Sequence, residues 1–585
     1  MFLARLKHSL LASAVLLGSL CGTAAAQTET DTKVLSSAIL PKDTYLYISM
    51  PSVESFKEAM TASSAGRLWA DPAMDAFKEE MKGAFSSEMD EAFTKIQENL
   101  GLSVEELMNI PTGEVALAIS KAPPNKLGAL LIFDYGDHES QVQALLEKAS
   151  GALSGVEQLE SANVEHDGTE IIMYNVKAPI AKQTPLAKEF GWFLKDQRLV
   201  ISNSSNLLKL TLDNWDGASE KSLETNSVYS YIMEKCESEE GTALMKTYFD
   251  PIGLISALQS TGSLGPAGAQ AGIAIGFLPV LGLNQFKGVG SVAEIGDDKF
   301  EGVSRSFAYC EQPPMALMQV FQLAPVEAKP PAWVKENASV WAATHWKIDE
   351  AYTAIVSLID GFQGEGFTEG QVDDLASQGP GIHIKNDIVD QMTGVIQVSM
   401  APPEGEDNET DDILIALGVK DTEAFSAVLA KMMESGFPGE TRELEGATVY
   451  EVSQPGVKLA ITVANGQLLV GIGGAQLEQA VRNADDVRPL SETEDFQAVS
   501  QYFAENAVAV TFSRPAEQYR SLYEKLQSGE GADMFPGADD FFARMDFSKL
   551  PAFEVIEKYM APSGGSWVGD ENGVFMEGFS LHPEK

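Results

Sequence analysis

Cysteine and histidine are scarce in this chain, and basic residues are heavily outnumbered. There are three cysteines and six histidines in 585 residues. Cys236 and Cys310 stand alone in the sequence and no histidine pair has zinc-protease spacing, so no metal-ligand cluster can be read along the chain. Lysine and arginine total 41 against 85 acids, a formal net charge of -44. Charge of that sign repels phosphate backbones and argues against a nucleic-acid partner. There is no Gly-x-Ser-x-Gly elbow, and no Ser or Cys is singled out by its neighbours as a nucleophile. An unbroken apolar run of the roughly 20 residues that span a bilayer is also missing. Leu264 to Phe286 has the length, but Pro266, Pro279 and five glycines make it a poor spanning helix. The mature chain is therefore read without a transmembrane helix, without a cofactor and without a catalytic residue.

What is present begins with a leader. Arg5, Lys7 and His8 precede the apolar run Leu10 to Leu20, and Ala24-Ala25-Ala26 supplies a small-x-small cleavage site. A signal peptide over 1–26, cut after Ala26, sends the chain to the periplasm or the exterior. Cys21 follows Leu20 rather than the small residue a lipid-attachment site requires, so ordinary cleavage is expected. In an oxidising compartment Cys236 and Cys310 can bridge, or they can remain small buried apolar residues.

The body of the chain reads as α+β, and it reads twice. Thr112-Gly113 with Val115 to Ile119 is echoed by Thr393-Gly394 with Val395 to Met400. Leu130 to Phe133 leading to Asp137 is echoed by Ile413 to Ala416 leading to Asp421. Gly191 to Ile201 faces Leu459 to Val470, Leu223 to Thr225 faces Leu490 to Thr493, and Ala243 to Pro251 faces Ala507 to Pro515. The matches keep their order, with offsets between roughly 264 and 284 residues, the signature of an internal repeat. Pro325, Pro330 and Pro331 forbid regular structure across Ala324 to Pro331, which places the two tandem pseudo-symmetric repeats at 27–328 and 329–585. Asp167-Gly168, Asn465-Gly466 and Asn572-Gly573 sit between alternating runs as hairpin turns. Phe425, Val428, Leu429 and Met432 have helical spacing behind Asp421 as an N-cap. Val53 to Met60, Pro72 to Lys82 and Glu91 to Leu100 also read as helices. Short glycine turns with clustered helices predict a largely antiparallel sheet in each repeat.

Leu40-Pro41-x-x-Thr44, Pro51-Ser52-Val53, Gly66-Arg67-Leu68-Trp69-x-Asp71-Pro72, Leu107 to Gly113 and Pro331-Ala332-Trp333-Val334 together carry a likeness. The chain resembles a family of exported bacterial proteins catalogued as a domain of unknown function (number three-three-five-two). The resemblance implies export and the duplicated layout. It brings no activity and no site residues.

Several segments invite a chemical reading, and each has a plainer one. Gly471-Ile472-Gly473-Gly474 lies between a strand and a helix, where a phosphate cradle would sit, but its spacing fits no nucleotide fingerprint and a tight turn suffices. Glu404 to Asp412 packs six acids that can hold a divalent cation weakly, though the ligand order of a calcium loop is missing and a solvated hairpin loop suffices. His138, His166, His345, His383 and His582 form no cluster and read as packed or surface side chains. The expectation is an exported cell-envelope or extracellular protein, acting by binding or scaffolding for an unknown partner. A hydrolase with a dispersed active site, or a carrier of a lipid or other apolar ligand reaching through Leu264 to Phe286, are the alternatives.

Overall fold

The structure is a computed structural model that describes residues 34–583 apart from 85–102, 125, 178–187, 218, 240, 261–271, 274, 380, 404–410, 435–438, 455–456, 484–486 and 531–543. The leader, the helix expected at Glu91 to Leu100 and most of the acidic loop at Glu404 lie outside the described residues. The fold is α+β with antiparallel strand pairing. Two compact units divide it, and neither is one continuous stretch of chain. The first takes the residues up to Gly272, then Gly288–Asp297 and Lys525–Tyr559; the second takes Ile273–Lys287, Asp298–Glu524 and Met560–Lys585.

In the first unit the strands are β1 (Thr44–Met50), β2 (Val115–Ala122), β3 (Lys126–Asp134), β4 (Leu159–His166), β5 (Thr169–Val176), β6 (Glu189–Lys195), β7 (Arg198–Ser202), β8 (Ala243–Phe249) and β9 (Phe286–Ile295). They hydrogen-bond in the order β9-β8-β1-β2-β3-β7-β6-β5-β4. Burial alternates along β2, where Ala116, Ala118, Ser120 and Ala122 point inward, and along β3, where Leu130 and Ile132 do. That period of two leaves one sheet face to be covered by helices. α1 (Glu139–Ser154) lies on the opposite face, where Val142 packs with Trp192 and Leu199, and α2 (Ser205–Asp213) and α3 (Ser227–Cys236) cover the inward residues, burying Leu207, Leu208, Leu212, Ile232 and Met233. One polar group sits deep in this interior. The Glu114 carboxylate accepts from Ser36 N at 2.7 Å, Ser36 Oγ at 2.5 Å, Ser49 Oγ at 2.7 Å and Tyr47 Oη at 3.2 Å. It ties the segment before β1 to the sheet, and burial, with that carboxylate alongside, drives the Tyr47 hydroxyl well above the usual phenol range.

A late stretch of the sequence, Lys525–Tyr559, also belongs to this unit. Phe547 packs on Phe77 with ring centroids 6.1 Å apart, and Tyr559 Oη donates to Asp71 at 2.8 Å.

The second unit contains β10 (Phe300–Cys310), β11 (Leu323–Ala324), β12 (Val340–Trp346), β13 (Met392–Ala401), β14 (Asp412–Val419), β15 (Glu440–Leu444), β16 (Ala447–Gln454), β17 (Val457–Ala464), β18 (Gln467–Ile472), β19 (Ala507–Ser513), β20 (Ser563–Asp570) and β21 (Gly573–Leu581). Their order is β10-β21-β20-β19-β12-β13-β14-β18-β17-β16-β15, with β11 paired to the end of β12. From β20 to β15 this is the connectivity of the first sheet, with β12 in the place of β1. Trp341 is fully buried here and meets Phe496 edge-on at 5.8 Å, which in turn meets Phe512 at 5.3 Å. The expected helix behind Asp421 spans Thr422–Glu434 (α4), with Ala424 N donating to Asp421 Oδ1 at 3.0 Å. Asn465-Gly466 turns β17 into β18 with φ of 51° and 74°, the left-handed pair such a hairpin demands. Asp196-Gln197 makes the same turn between β6 and β7 without glycine, and Trp215 Nε1 at 2.7 Å from the Asp196 carboxylate braces it. At Asn572-Gly573 the turn is shifted: Asp570 pairs with Gly573, so the loop is Glu571-Asn572.

The compact units run differently from the repeats read along the sequence. The proline-rich segment Ala324 to Pro331 lies inside the second unit, not between units, because Val326 N donates to Ala507 O at 2.8 Å and Val326 and Ala328 pack on that core. The compact units are accordingly a different partition from 27–328 and 329–585: Ile273–Lys287 and β10 join the second unit, and Lys525–Tyr559 joins the first. Of the two states left open for Cys236 and Cys310, the structure has the buried free thiols. Cys236 Sγ lies 3.9 Å from Gly290 O, and Cys310 Sγ lies 3.7 Å from Glu311 O. Burial first, then Glu311, raises the Cys310 thiol pKa, which keeps it protonated and unreactive.

Two outcomes follow from this arrangement. A protease site placed at 327–329 should be cut without separating the pieces, since each unit draws on both; size-exclusion chromatography should show one species in buffer and two in denaturant. Glu114→Ala leaves the Ser36, Ser49 and Tyr47 donors buried without their acceptor and should lower unfolding free energy by about 3 kcal/mol in urea titrations.

Candidate ligand cavity in the first unit

Helix α1 does not seat flush on the hairpin strands beneath it. Between them lies an open cavity of about 580 Å³, lined by Gln143, Leu146, Glu147 and Ser150 from α1 and by Thr169, Glu170, Ile172, Trp192 and Leu194 from β5 and β6. The cross-strand register sets its floor. Ile172 pairs with Trp192 and Tyr174 with Phe190, so Tyr174 stacks on Phe190 at 5.5 Å and on Trp192 at 5.6 Å. That aromatic column packs with Val142, Ile110, Tyr135 and Leu199 into a small core of its own. Trp192 is 5% exposed, and its indole N–H has no hydrogen-bond partner among the described residues. A buried donor left unmade costs about 1–3 kcal/mol, so it is an anomaly in a wall otherwise apolar.

The rim is polar and negative. Gln143 Nε2 donates to Glu139 at 2.9 Å, and Glu170 accepts from Asn163 at 2.9 Å. Neither Glu147 nor Glu170 has a salt bridge among the described residues, and no lysine or arginine lines the cavity. Such a pocket can hold an apolar body against its floor and accept a positive charge at the rim.

None of these residues stood out in the sequence as a site. Trp192 was visible only as part of the repeated run Gly191 to Ile201. By strand register its counterpart is Ile461, which pairs across to Val470 as Trp192 pairs to Ile201. An aromatic donor replacing an aliphatic residue was the available signal. Ile461 packs against the filled core of Val419, Phe425, Leu429 and Val463.

The segments that did stand out have other employment. The glycine turn at Gly473-Gly474 is occupied by the chain's own anion: the buried Asp412 carboxylate accepts from Gly474 N at 3.3 Å and Gln476 N at 2.8 Å. A Cβ at Gly471 would lie 2.9 Å from Leu477 Cβ, so glycine there permits helix Ala475–Arg482 to lie close on β18. Glu189 plays Asp412's part at the corresponding turn, accepting from Ser205 N at 3.0 Å. His138 bonds Ile110 O, His166 bonds Asp213, His345 bonds Pro325 O, and His383 lies 3.4 Å from Asp373. None of these contacts is with a serine or cysteine. Among the described residues no group of three or more His, Cys, Asp or Glu could hold a metal ion, and no helix is long and apolar enough to cross a membrane.

No protein-family model matches the chain, and no curated protein matches it. Among solved structures, similarity is found to one titled crystal form I of TP0453, at 8% identity and a TM-score of 0.21, covering 49% of this chain and 82% of that one. A superposition that poor carries no argument about fold or function.

Asp412→Ala should free two amide donors at a buried helix start and lower stability by about 2 kcal/mol in thermal or urea unfolding. Added inorganic phosphate should not restore it, because a built phosphate cradle is not what the turn provides.

Proposed function

We propose that this is an exported, non-enzymatic binding protein of the bacterial cell envelope or exterior, descended by duplication of one α+β module, with its ligand site in the cavity under α1. The observation that carries the reading is the open cavity itself, apolar at Leu146, Ile172, Trp192 and Leu194 and bordered by Glu147 and Glu170. Two copies of a module are free to diverge, one keeping a closed core and the other opening a site. The shared strand order, and the pairing of Tyr47 with Trp341 as the fully buried aromatics of β1 and β12, support descent from one module. The leader and the resemblance to an exported family support the location.

A second reading, an apolar ligand or partner, is favoured by one feature of the second unit. Ile273, Phe277, Val280, Met315, Phe321 and Phe362 are all exposed there, and Phe277 and Phe362 lie 6.2 Å apart. Isolated exposed apolar residues are ordinary, whereas a cluster points to something that covers it.

The discriminating measurement is native mass spectrometry of the protein purified from its own envelope fraction. A small polar or charged molecule retained by the wild type and lost from a Trp192→Ala variant is expected. Retained lipid insensitive to that change would favour the second reading. A bare chain that turns over ester or peptide substrates would overturn both.

A further inference from the structure

Helix Ile348–Gln363 carries two apolar stripes, and the core of the second unit uses one of them. Ala351 and Ala354 are buried. Ile355, Ile359 and Phe362 recur at i, i+4 and i+7 on another face of the helix, and all three are exposed. That spacing is the seam one helix offers to a second. The apolar surface continues beyond the helix. Phe362 lies 6.2 Å from Phe277, the 3-10 turn Ala316–Phe321 packs along the helix, and Leu317 N donates to Leu281 O at 3.1 Å. These neighbours add the exposed Ile273, Val280, Met315 and Phe321. At roughly 100 Å² for each half-exposed side chain of this size, the surface is on the order of 800 Å². That is about what one partner contributes to a stable interface, and more than a monomer ordinarily leaves bare.

Charge selects the occupant. The chain carries a net charge of -44 with 22% charged residues, yet Gly272 to Phe286 and Gln312 to Val326 contain none. The helix has Asp349, Glu350 and Asp360 and no lysine or arginine, so it lacks the basic face of a helix that lies on an anionic membrane. A basic partner would be steered to the acidic remainder of the chain rather than to this surface. A second copy is repelled wherever acids face acids, and an uncharged face is where two copies meet without that repulsion.

Resting on the reading of this surface as an apolar contact site, we propose that it is the interface of a twofold homodimer. An axis near Ile359 sets the helix antiparallel to its own copy, so that Ile355 of each chain meets Phe362 of the other. A contact of this symmetry buries the same patch on both chains and closes on itself.

Sedimentation equilibrium of the full mature chain reads the mass. A two-chain species is expected at low micromolar concentration, and it should tighten with added sodium chloride as screening removes the like-charge repulsion. Ile359→Glu places a carboxylate on the axis from both sides and should weaken association by about tenfold or more, with the circular dichroism spectrum unchanged because the position is exposed. Under mild oxidant Ile359→Cys should give a covalent dimer, and Ser357→Cys, exposed on the far side of the same helix, should not. A monomer at every concentration, a dimer that Ile359→Glu leaves intact, or equal linking by the two cysteines overturns the proposal. So does flotation of a monomeric chain with phosphatidylcholine vesicles that Ile359→Glu abolishes, which assigns the surface to a bilayer. In that last case the apolar contact site stands and only self-association fails; a monomer that neither floats nor retains lipid removes both.

Discussion

The alternation of buried and exposed residues along the central strands is the constraint on which everything else hangs. Along β2 and β3 the inward residues are Ala116, Ala118, Ser120, Ala122, Leu130 and Ile132, and along β14 they are Leu414 and Ala416. A slip of one residue would turn every one of these outward, so register and burial enforce each other. Small inward residues bring the helices close, and the sites of close approach then need special provision. Gly471 under Leu477 is one; the internal carboxylates Asp412 and Glu189 at two helix starts are another.

The same constraint explains the cavity by its exception. In the second unit α4 drops Phe425 and Leu429 onto Val463, and that core closes. In the first, the column Phe190–Tyr174–Trp192 consumes the apolar contact area, and helix α1 presents Gln143, Glu147 and Ser150 toward the opening with Leu146 as its one apolar lining residue. Large stacked rings fill their own layer, and an open cavity remains between α1 and strands β5 and β6. An indole N–H then faces no protein acceptor. Polar anomalies of that kind persist where something other than packing maintains them.

Much of the local structure could be read from residue order. α4 begins behind Asp421, and Asn465-Gly466 turns its hairpin. These features depend on neighbours within a few residues, and short-range chemistry encodes them. The hairpin at Asp196-Gln197 was less plain because a distant indole, Trp215, supports a turn that glycine would otherwise make. The segment Ala324 to Pro331 looked like a boundary because prolines break regular structure. Breaking a helix or strand does not prevent packing, and Val326 is held to Ala507 by a backbone hydrogen bond.

By itself, the sequence determined the strands, the turns, the helix starts and the α+β class, because each follows from a period or a backbone preference that a few adjacent residues impose. Tertiary structure alone decided which remote pieces share a core. Lys525–Tyr559 joins the first unit through contacts such as Phe547 on Phe77, and Cys236 and Cys310 are buried as separate thiols. It also decided that Trp192 is buried with its indole N–H unpaired among the described residues. Burial and hydrogen-bond satisfaction are properties of three-dimensional neighbourhoods, and residues far apart along the chain supply most of any such neighbourhood.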